Sequence, residues 1–219
     1  MKITLFGATG KTGPYLIKEG LKRGHEITVF ARQSSSFDYE NVRIVRGDFT
    51  DAIALHEAIN GADAVLSALG PTQFPHPKGE PIAHATQALI DIMAQAQVRR
   101  LIAVSTGTAA DPDDRYDMKI RLPAILIKYL MPSIYQDIVA LAQVIRQSDR
   151  DWTMVRAGFL TNRCDSKGIN VGVYGKTRHQ LALSRLDLAK FMFDQIESDT
   201  YLAKAPGVSS CEQVIRLTD

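Results

Sequence analysis

The chain has 219 residues, 45% of them hydrophobic, so it can bury a sizeable core. Its 26 basic and 24 acidic residues give a formal net charge of +2. They form none of the dense basic runs that nucleic-acid and membrane-surface binders carry. We therefore expect a single globular domain over residues 1–219, with no nucleic-acid or membrane partner.

The cysteines and the short apolar segments exclude further classes of protein. Cys164 and Cys211 have no second Cys or His nearby at a metal-ligand spacing, so we predict neither a disulfide framework nor a metal site. The N-terminal apolar run is too short for a signal peptide. The apolar segment 124–131 is interrupted by Lys128 and is too short to cross a bilayer. We expect a cytoplasmic protein.

The first three quarters of the chain alternate short apolar runs with segments of helical periodicity. The predicted strands are 2–7, 26–31, 42–47, 62–69, 100–106 and 152–158, and the predicted helices are 12–23, 51–60, 81–97 and 133–149. Strands that are almost entirely apolar are buried on both faces. The pattern therefore predicts an α/β fold, a Rossmann-like doubly wound parallel sheet between two helix layers.

Beyond residue 158 this alternation breaks up. We predict short strands at 171–175 and 212–217 and a helix at 185–197, with Ser184 as its N-cap. We expect residues 158–219 to form a small C-terminal cap on the substrate side of the same domain. The polar, charged segment 111–123 is predicted to be a mobile loop.

The sequence GATGKTG at residues 7–13 poses a choice between two phosphate-binding loops. A triphosphate P-loop requires a glycine five positions before its Gly-Lys-Thr, and that position is Leu5, inside the first strand. A dinucleotide loop fits the strand–turn–helix context better. Gly7 would make the tight turn, Gly10 would let the backbone approach a pyrophosphate, and Gly13 would let the helix pack closely.

The spacing G-x-x-G-x-x-G differs from the G-x-G-x-x-G fingerprint, so a structural turn without a ligand stays open as an alternative. Under the dinucleotide interpretation, the other loop residues lie beside the phosphates: Thr9, Lys11 and Thr12.

The end of the second strand favours NADP over NAD. Arg32 stands where an acid would accept a hydrogen bond from a ribose 2′-hydroxyl, and no carboxylate occurs between Glu26 and Asp38. An arginine there accommodates a 2′-phosphate; a solvated strand-end charge is the alternative. Asp48 either accepts a hydrogen bond from the adenine amino group or caps the following helix, and we include its neighbour Phe49 among the predicted cofactor-binding residues.

Several motifs in order along the chain resemble the atypical short-chain dehydrogenase/reductase superfamily: GATGKTG, GDFTD, SALGP, VSTGT, DWTMVRAGFLT and SRLDLAKF. Within it, the chain is similar to small NAD(P)H-binding proteins of the biliverdin-IXβ-reductase/flavin-reductase type and, more distantly, to NmrA-like sensors. The resemblance implies a Rossmann fold with the nicotinamide near Leu69, Gly70, Ser105 and Thr106. It also implies that residues 158–162 close the other side.

The chain departs from that superfamily in its catalytic dyad. Alcohol-oxidising members use a tyrosine acid four residues before a lysine, but no tyrosine here has lysine at that spacing. The dyad positions fall near Ile134 and Ile138. Hydride transfer from NADPH to a planar acceptor such as a flavin, quinone or tetrapyrrole needs no such acid. Thr106 or Ser105 would then hydrogen-bond the acceptor or the carboxamide, unless these hydroxyls only satisfy the next loop.

Two functions follow. The first is an NADPH-dependent oxidoreductase with a small-molecule electron acceptor, and the second is a non-catalytic NADP(H)-binding redox sensor that acts through a protein partner. For His76, in a proline-rich loop, exposed polarity is expected, with a substrate contact as the alternative. Asp111, Asp113 and Asp114 are expected to form a solvated acidic loop.

Overall fold

The computed structural model describes residues 1–163 and 168–211. The strands are β1 (Lys2–Phe6), β2 (Glu26–Ala31), β3 (Arg43–Arg46), β4 (Ala64–Ser67), β5 (Arg100–Thr106), β6 (Asp151–Ala157), β7 (Phe159–Thr161), β8 (Ile169–Gly172), β9 (Ala182–Ser184) and β10 (Gly207–Ser210). The helices are α1 (Gly13–Lys22), α2 (Ala52–Ile59), α3 (Pro81–Gln95), α4 (Met118–Leu130), α5 (Pro132–Gln147) and α6 (Arg185–Asp194).

The main sheet has eight strands in the order β3-β2-β1-β4-β5-β6-β10-β8. Its first six strands are parallel and follow the strand order of dinucleotide-binding folds. β10 continues the sheet in parallel with β6, and β8 closes the edge antiparallel to β10. The predicted doubly wound, Rossmann-like α/β fold is therefore confirmed.

Both faces of the sheet are covered, as the apolar strands predict. On β5, Leu101 and Ala103 belong to one core, which includes residues of α2, α3 and α5. Ile102, between them, belongs to the other core, with residues of α1 and α6. Successive side chains of a strand point to opposite faces, so a run of consecutive apolar residues serves both layers.

The segment after residue 158 does more than cap the sheet. α6 packs on α1 in one helix layer, and β8 and β10 extend the main sheet. β7 and β9 form a separate two-stranded sheet. Ser184 caps α6 as predicted, since its hydroxyl accepts a hydrogen bond from the Asp187 amide at 3.0 Å. The predicted strand 212–217 lies outside the described residues.

The prediction of a mobile loop over 111–123 is wrong, because α4 begins at Met118 inside it and the preceding turn is held by ion pairs. The Asp117 side chain caps α4 by accepting from the Lys119 amide. The Asp114 carboxylate binds the buried guanidinium of Arg156 through both oxygens. Pro123 within α4 obscured the helix in the sequence, because proline rarely continues a helix.

Within the described ranges, no single helix is long and apolar enough to cross a membrane. Only α4 and α5 taken together reach the length and composition of a span, and the chain bends by 120° between them.

Candidate cofactor-binding site

The glycine loop lies at the carboxyl edge of the sheet, between β1 and α1. Gly7 has φ +75°, and a Cβ on it would lie 2.6 Å from the Ala68 carbonyl oxygen at the end of β4. A Cβ on Gly13 would lie only 1.6 Å from the Ala8 carbonyl oxygen. Glycine at these two positions therefore makes the turn and permits the close approach of α1 that a dinucleotide loop requires.

The same loop presents unpaired backbone donors. The amides of Gly10 and Gly13 donate within the loop, to the carbonyl oxygens of Gly7 and Gly10. Those of Thr9, Lys11 and Thr12 donate to no other residue in the described part of the chain. Thr12 is the N-cap residue of α1, and its side chain makes no capping hydrogen bond. Free amides at a helix N-terminus attract anions, so the loop fits the pyrophosphate of a dinucleotide.

The ends of β2 and β3 place the predicted adenosine-side residues at the same edge. Ala31 pairs with Arg46, and Arg32 and Asp48 follow these two strand ends. Arg32 is exposed, and its side chain has no hydrogen bond to any residue that the structure describes. Arg46 was not predicted as a site residue, although it is the next-to-last residue of the predicted strand 42–47. Its guanidinium donates to the Phe37 carbonyl at 2.8 Å.

The alternative in which Asp48 caps the next helix is wrong. Asp51 caps α2, because its carboxylate accepts from the amides of Ile53 and Ala54 at 3.1 and 3.0 Å. The Asp48 backbone carbonyl accepts from the Asp51 amide. Its exposed carboxylate is bonded to no described residue, so it stays available for the predicted contact with adenine.

The remaining predicted cofactor residues surround the same edge. Phe49 packs against Phe6 and Phe30, with ring centroids 6.0 and 5.5 Å apart. Leu69 is half-buried against the core on the α3 side, and Gly70 is exposed with open space around it. Phe49 is therefore a packing residue whose ring anchors the loop after β3, and any contact with cofactor is additional to that role.

Ser105 and Thr106, at the end of β5, differ in the hydrogen bonding of their hydroxyls. The Thr106 hydroxyl accepts a hydrogen bond from the Thr108 amide at 3.1 Å, which is the loop-satisfying role left open above. The Ser105 hydroxyl is buried and has no hydrogen-bond partner among the residues that the structure describes. A buried, unpaired hydroxyl is uncommon in proteins, so Ser105 is the better candidate of the two for a ligand contact.

The two isoleucines near which the resemblance puts the missing dyad face the core. Ile138 is buried and Ile134 packs against the same hydrophobic cluster. Between them, Asp137 is fully buried, and its Oδ2 atom lies at hydrogen-bond distance, 2.7 Å, from His76 Nε2. The expected exposed polarity of His76 is therefore wrong. A lone carboxylate on the apolar face of a helix was the sequence signal for this pair, and it was missed.

A second buried network surrounds Arg156 on β6, the strand next to β5. Arg156, in register with Ser105, donates to the Ala205 carbonyl and binds Asp114. The Tyr174 ring lies against its guanidinium at 4.6 Å, and burial raises the pKa of Tyr174 to about 12. The expectation of a solvated acidic loop is wrong for Asp111 as well, which pairs with Arg146 at 3.0 Å.

Fold and site together define a Rossmann-type nucleotide-binding protein: a 3-2-1-4-5-6 parallel sheet with a glycine loop and an open helix N-terminus at its carboxyl edge. Residues 7–199 match the profile of a family described as NAD(P)H-binding. The chain belongs to this NAD(P)H-binding family, which confirms the predicted class of cofactor, a nicotinamide dinucleotide.

Related proteins extend over nearly the whole chain. The uncharacterized protein YwnB of Bacillus subtilis is 28% identical over 208 residues, which are 90% of this chain and 92% of that protein. A short-chain dehydrogenase/reductase from Veillonella parvula in complex with NADP has a TM-score of 0.76 at 21% identity, covering 95% and 94% of the two chains. ChuY, an anaerobilin reductase from Escherichia coli O157:H7, has a TM-score of 0.77 at 17% identity, covering 97% and 98%.

Proposed function

We propose that the protein is an NADPH-dependent oxidoreductase that transfers hydride to a planar electron acceptor of the flavin, quinone or tetrapyrrole type. The observation that carries this proposal is the glycine loop with its three unpaired amides, in a chain of the NAD(P)H-binding family. The nicotinamide supplies the hydride. The protein has to bind the phosphates, orient the acceptor and exclude water.

The preference for NADPH is argued from Arg32. Its guanidinium follows β2, where a 2′-phosphate would lie, and it is exposed and unpaired among the described residues. Guanidinium–phosphate hydrogen bonds are charge-assisted and among the stronger polar contacts. The NADP in the complex of the Veillonella relative supports the same preference.

Two observations support a planar acceptor: the missing Tyr–Lys pair and the similarity in fold to a reductase. Ile134 and Ile138 pack in the core near the positions where the resemblance puts the usual Tyr–Lys acid pair. The chain therefore lacks the two residues that would reduce a simple ketone by that route. A conjugated acceptor spreads the charge of the added hydride and needs less acid catalysis. The anaerobilin reductase with the same fold supports the tetrapyrrole member of this class.

Turnover tests the proposal directly. Purified protein is mixed with NADPH and, separately, FMN, menadione and biliverdin, and the loss of NADPH absorbance is followed. Acceptor-dependent oxidation with at least one of them is expected. Gly13→Ala is the control, because its methyl group would collide with the Ala8 carbonyl and displace α1 from the loop. If NADPH binds but is oxidised with none of the acceptors, the proposal that the protein is an oxidoreductase is refuted.

That same outcome would support the second candidate, a redox sensor acting through a protein partner. The observation that favours it is α4, which buries none of its residues. Leu122, Leu126 and Tyr129 on this helix are 51%, 50% and 75% exposed. Exposed apolar surface of this kind marks contact sites for other molecules.

A further inference from the structure

The loop after β4 contains a histidine whose buried state the proposed function does not yet explain. The side chains of His76 and Asp137 are only 5% and 0% exposed, and His76 Nε2 lies 2.7 Å from Asp137 Oδ2. The other ring nitrogen, Nδ1, is buried and has no hydrogen-bond partner within residues 1–163 and 168–211. A buried ring nitrogen without a partner needs an explanation, and contact with a ligand or a bound water is one.

The surroundings of Asp137 determine which nitrogen of His76 carries hydrogen. Its carboxylate also accepts from the backbone amides of Ile82 and Ala83, at 3.1 and 2.9 Å, at the N-terminus of α3. Backbone donors and the positive end of a helix dipole stabilise the ionised carboxylate. An ionised carboxylate only accepts hydrogen bonds, so His76 Nε2 carries the hydrogen. Nδ1 is therefore a lone pair in the neutral ring and an N–H donor in the imidazolium.

The loop that carries His76 starts at the candidate cofactor site. β4 ends against the glycine loop, where Ala68 closely approaches Gly7. The loop that follows carries His76 and ends at α3, whose first amides bind Asp137. Asp137 also lies on α5 between Ile134 and Ile138, in the helix turn where the superfamily's Tyr–Lys pair would stand. The loop that starts at this edge thus brings His76 to the turn of α5 that carries Asp137.

We propose that His76, oriented by Asp137, protonates the reduced acceptor through Nδ1; this inference rests on the proposed function. The acceptor takes a hydride, which is one proton with two electrons, from NADPH, and NADPH becomes NADP⁺. The acceptor is left one proton short. The Nδ1–H bond of the imidazolium breaks, its proton joins the acceptor, and the neutral ring regains a proton from water. Asp137 compensates the positive charge that the ring carries before the transfer.

Turnover by His76→Gln gives the first test. The variant is expected to lose about 100-fold or more in kcat with menadione or biliverdin, while NADPH affinity stays within about twofold because the phosphate loop is untouched. His84→Gln is the matched control, since His84 is an exposed histidine on the neighbouring helix α3. Wild-type kcat in His76→Gln would overturn the proposal.

Histidine ¹⁵N NMR of the wild-type protein gives a second test that needs no turnover and no variant. The free protein should show His76 with hydrogen on Nε2 and none on Nδ1 when the ring is neutral. Binding of NADP⁺ together with biliverdin or FMN should shift the Nδ1 resonance, because Nδ1 gains a partner. Bound probe with no shift would overturn the assignment.

The two tests separate failure of the inference from failure of the proposed function. If the wild type oxidises no NADPH with any acceptor, the proposed reaction is wrong, and the NMR shift alone then decides whether His76 contacts a ligand. If the wild type turns over and His76→Gln does so equally well, the reaction stands and the role of His76 is wrong. If His76→Gln fails to fold, the NMR measurement again decides.

Discussion

Arg32 is the residue on which the proposed preference between the two cofactors depends. It follows β2 at the carboxyl edge of the sheet, exposed and without a partner among the residues described. Arg32→Asp should weaken NADPH binding by about 2 kcal/mol or more, the size of a charge-assisted hydrogen bond, and change NADH binding little. Fluorescence titration with each cofactor measures this.

The control is Arg43→Asp, at the opposite end of the neighbouring strand, where Arg43 pairs with the exposed Glu57. It should leave both affinities unchanged. Equal losses of NADPH and NADH affinity in Arg32→Asp would show that Arg32 does not contact a 2′-phosphate.

Ser105 and Thr106 should respond in opposite ways to loss of their hydroxyls. Thr106→Val removes the acceptor of the Thr108 amide and should lower the free energy of unfolding by about 1 kcal/mol. Ser105→Ala removes a hydroxyl that has no partner in the described part of the chain, so it should leave stability nearly unchanged and lower kcat if the hydroxyl binds the acceptor. Urea denaturation and the NADPH oxidation assay measure the two effects. A stability loss confined to Ser105→Ala would reverse these roles.

At the scale of the element, the turn before α4 depends on one buried ion pair. Arg156 is 1% exposed and binds both oxygens of Asp114 at 2.5 and 2.7 Å. Removal of one partner leaves a buried charge without compensation, which costs about 3–5 kcal/mol. Asp114→Ala should therefore lower the free energy of unfolding by about that amount in urea denaturation.

Asp113→Ala is the matched control for this element. Asp113 is exposed in the same turn, and its substitution should change the free energy of unfolding by less than about 0.5 kcal/mol. If both variants lose equal stability, the turn contributes through its backbone conformation and not through the ion pair with Arg156.

The helices and strands that the sequence predicts well share a local origin. α1, α2, α3, α5 and α6 have apolar residues at helical spacing, and each begins and ends within a few residues of its predicted bounds. α4 was missed because Pro123 and the preceding acidic turn carry the local signs of a loop. What holds that turn is Arg156, 42 residues along the chain from Asp114, and no local pattern reports such a contact.

At the scale of the whole molecule, burial of His179 couples stability to pH. The ring lies edge-on to Tyr174 at 4.9 Å, and burial lowers the pKa of His179 below its usual 6.5. The unfolded chain then takes up the proton at a higher pH than the folded protein does. Stability from this group is present above pH 6.5 and is lost as the pH falls below about 6.5 towards the folded pKa.

The free energy of unfolding should accordingly be lower at pH 5.5 than at pH 7.5, and His179→Gln should show a smaller difference. Urea denaturation at the two values measures both. Asp151, whose pKa is lowered by its hydrogen bond from Arg99, stays ionised over this range and does not contribute. Identical pH dependence in the wild type and His179→Gln would assign the effect to other groups.

From the sequence alone followed the alternation of strands and helices from β1 to β6 apart from α4, the buried sheet and the glycine loop. These depend on apolar periodicity and on glycines a few residues apart, which act through local backbone geometry. Only the tertiary structure decided which polar groups meet. His76 reaches Asp137 across 61 residues, and Ser105 is left unpaired while Thr106 is not. Such partners are chosen by the packing of distant elements, because a buried polar group takes whichever donor or acceptor the fold brings to it.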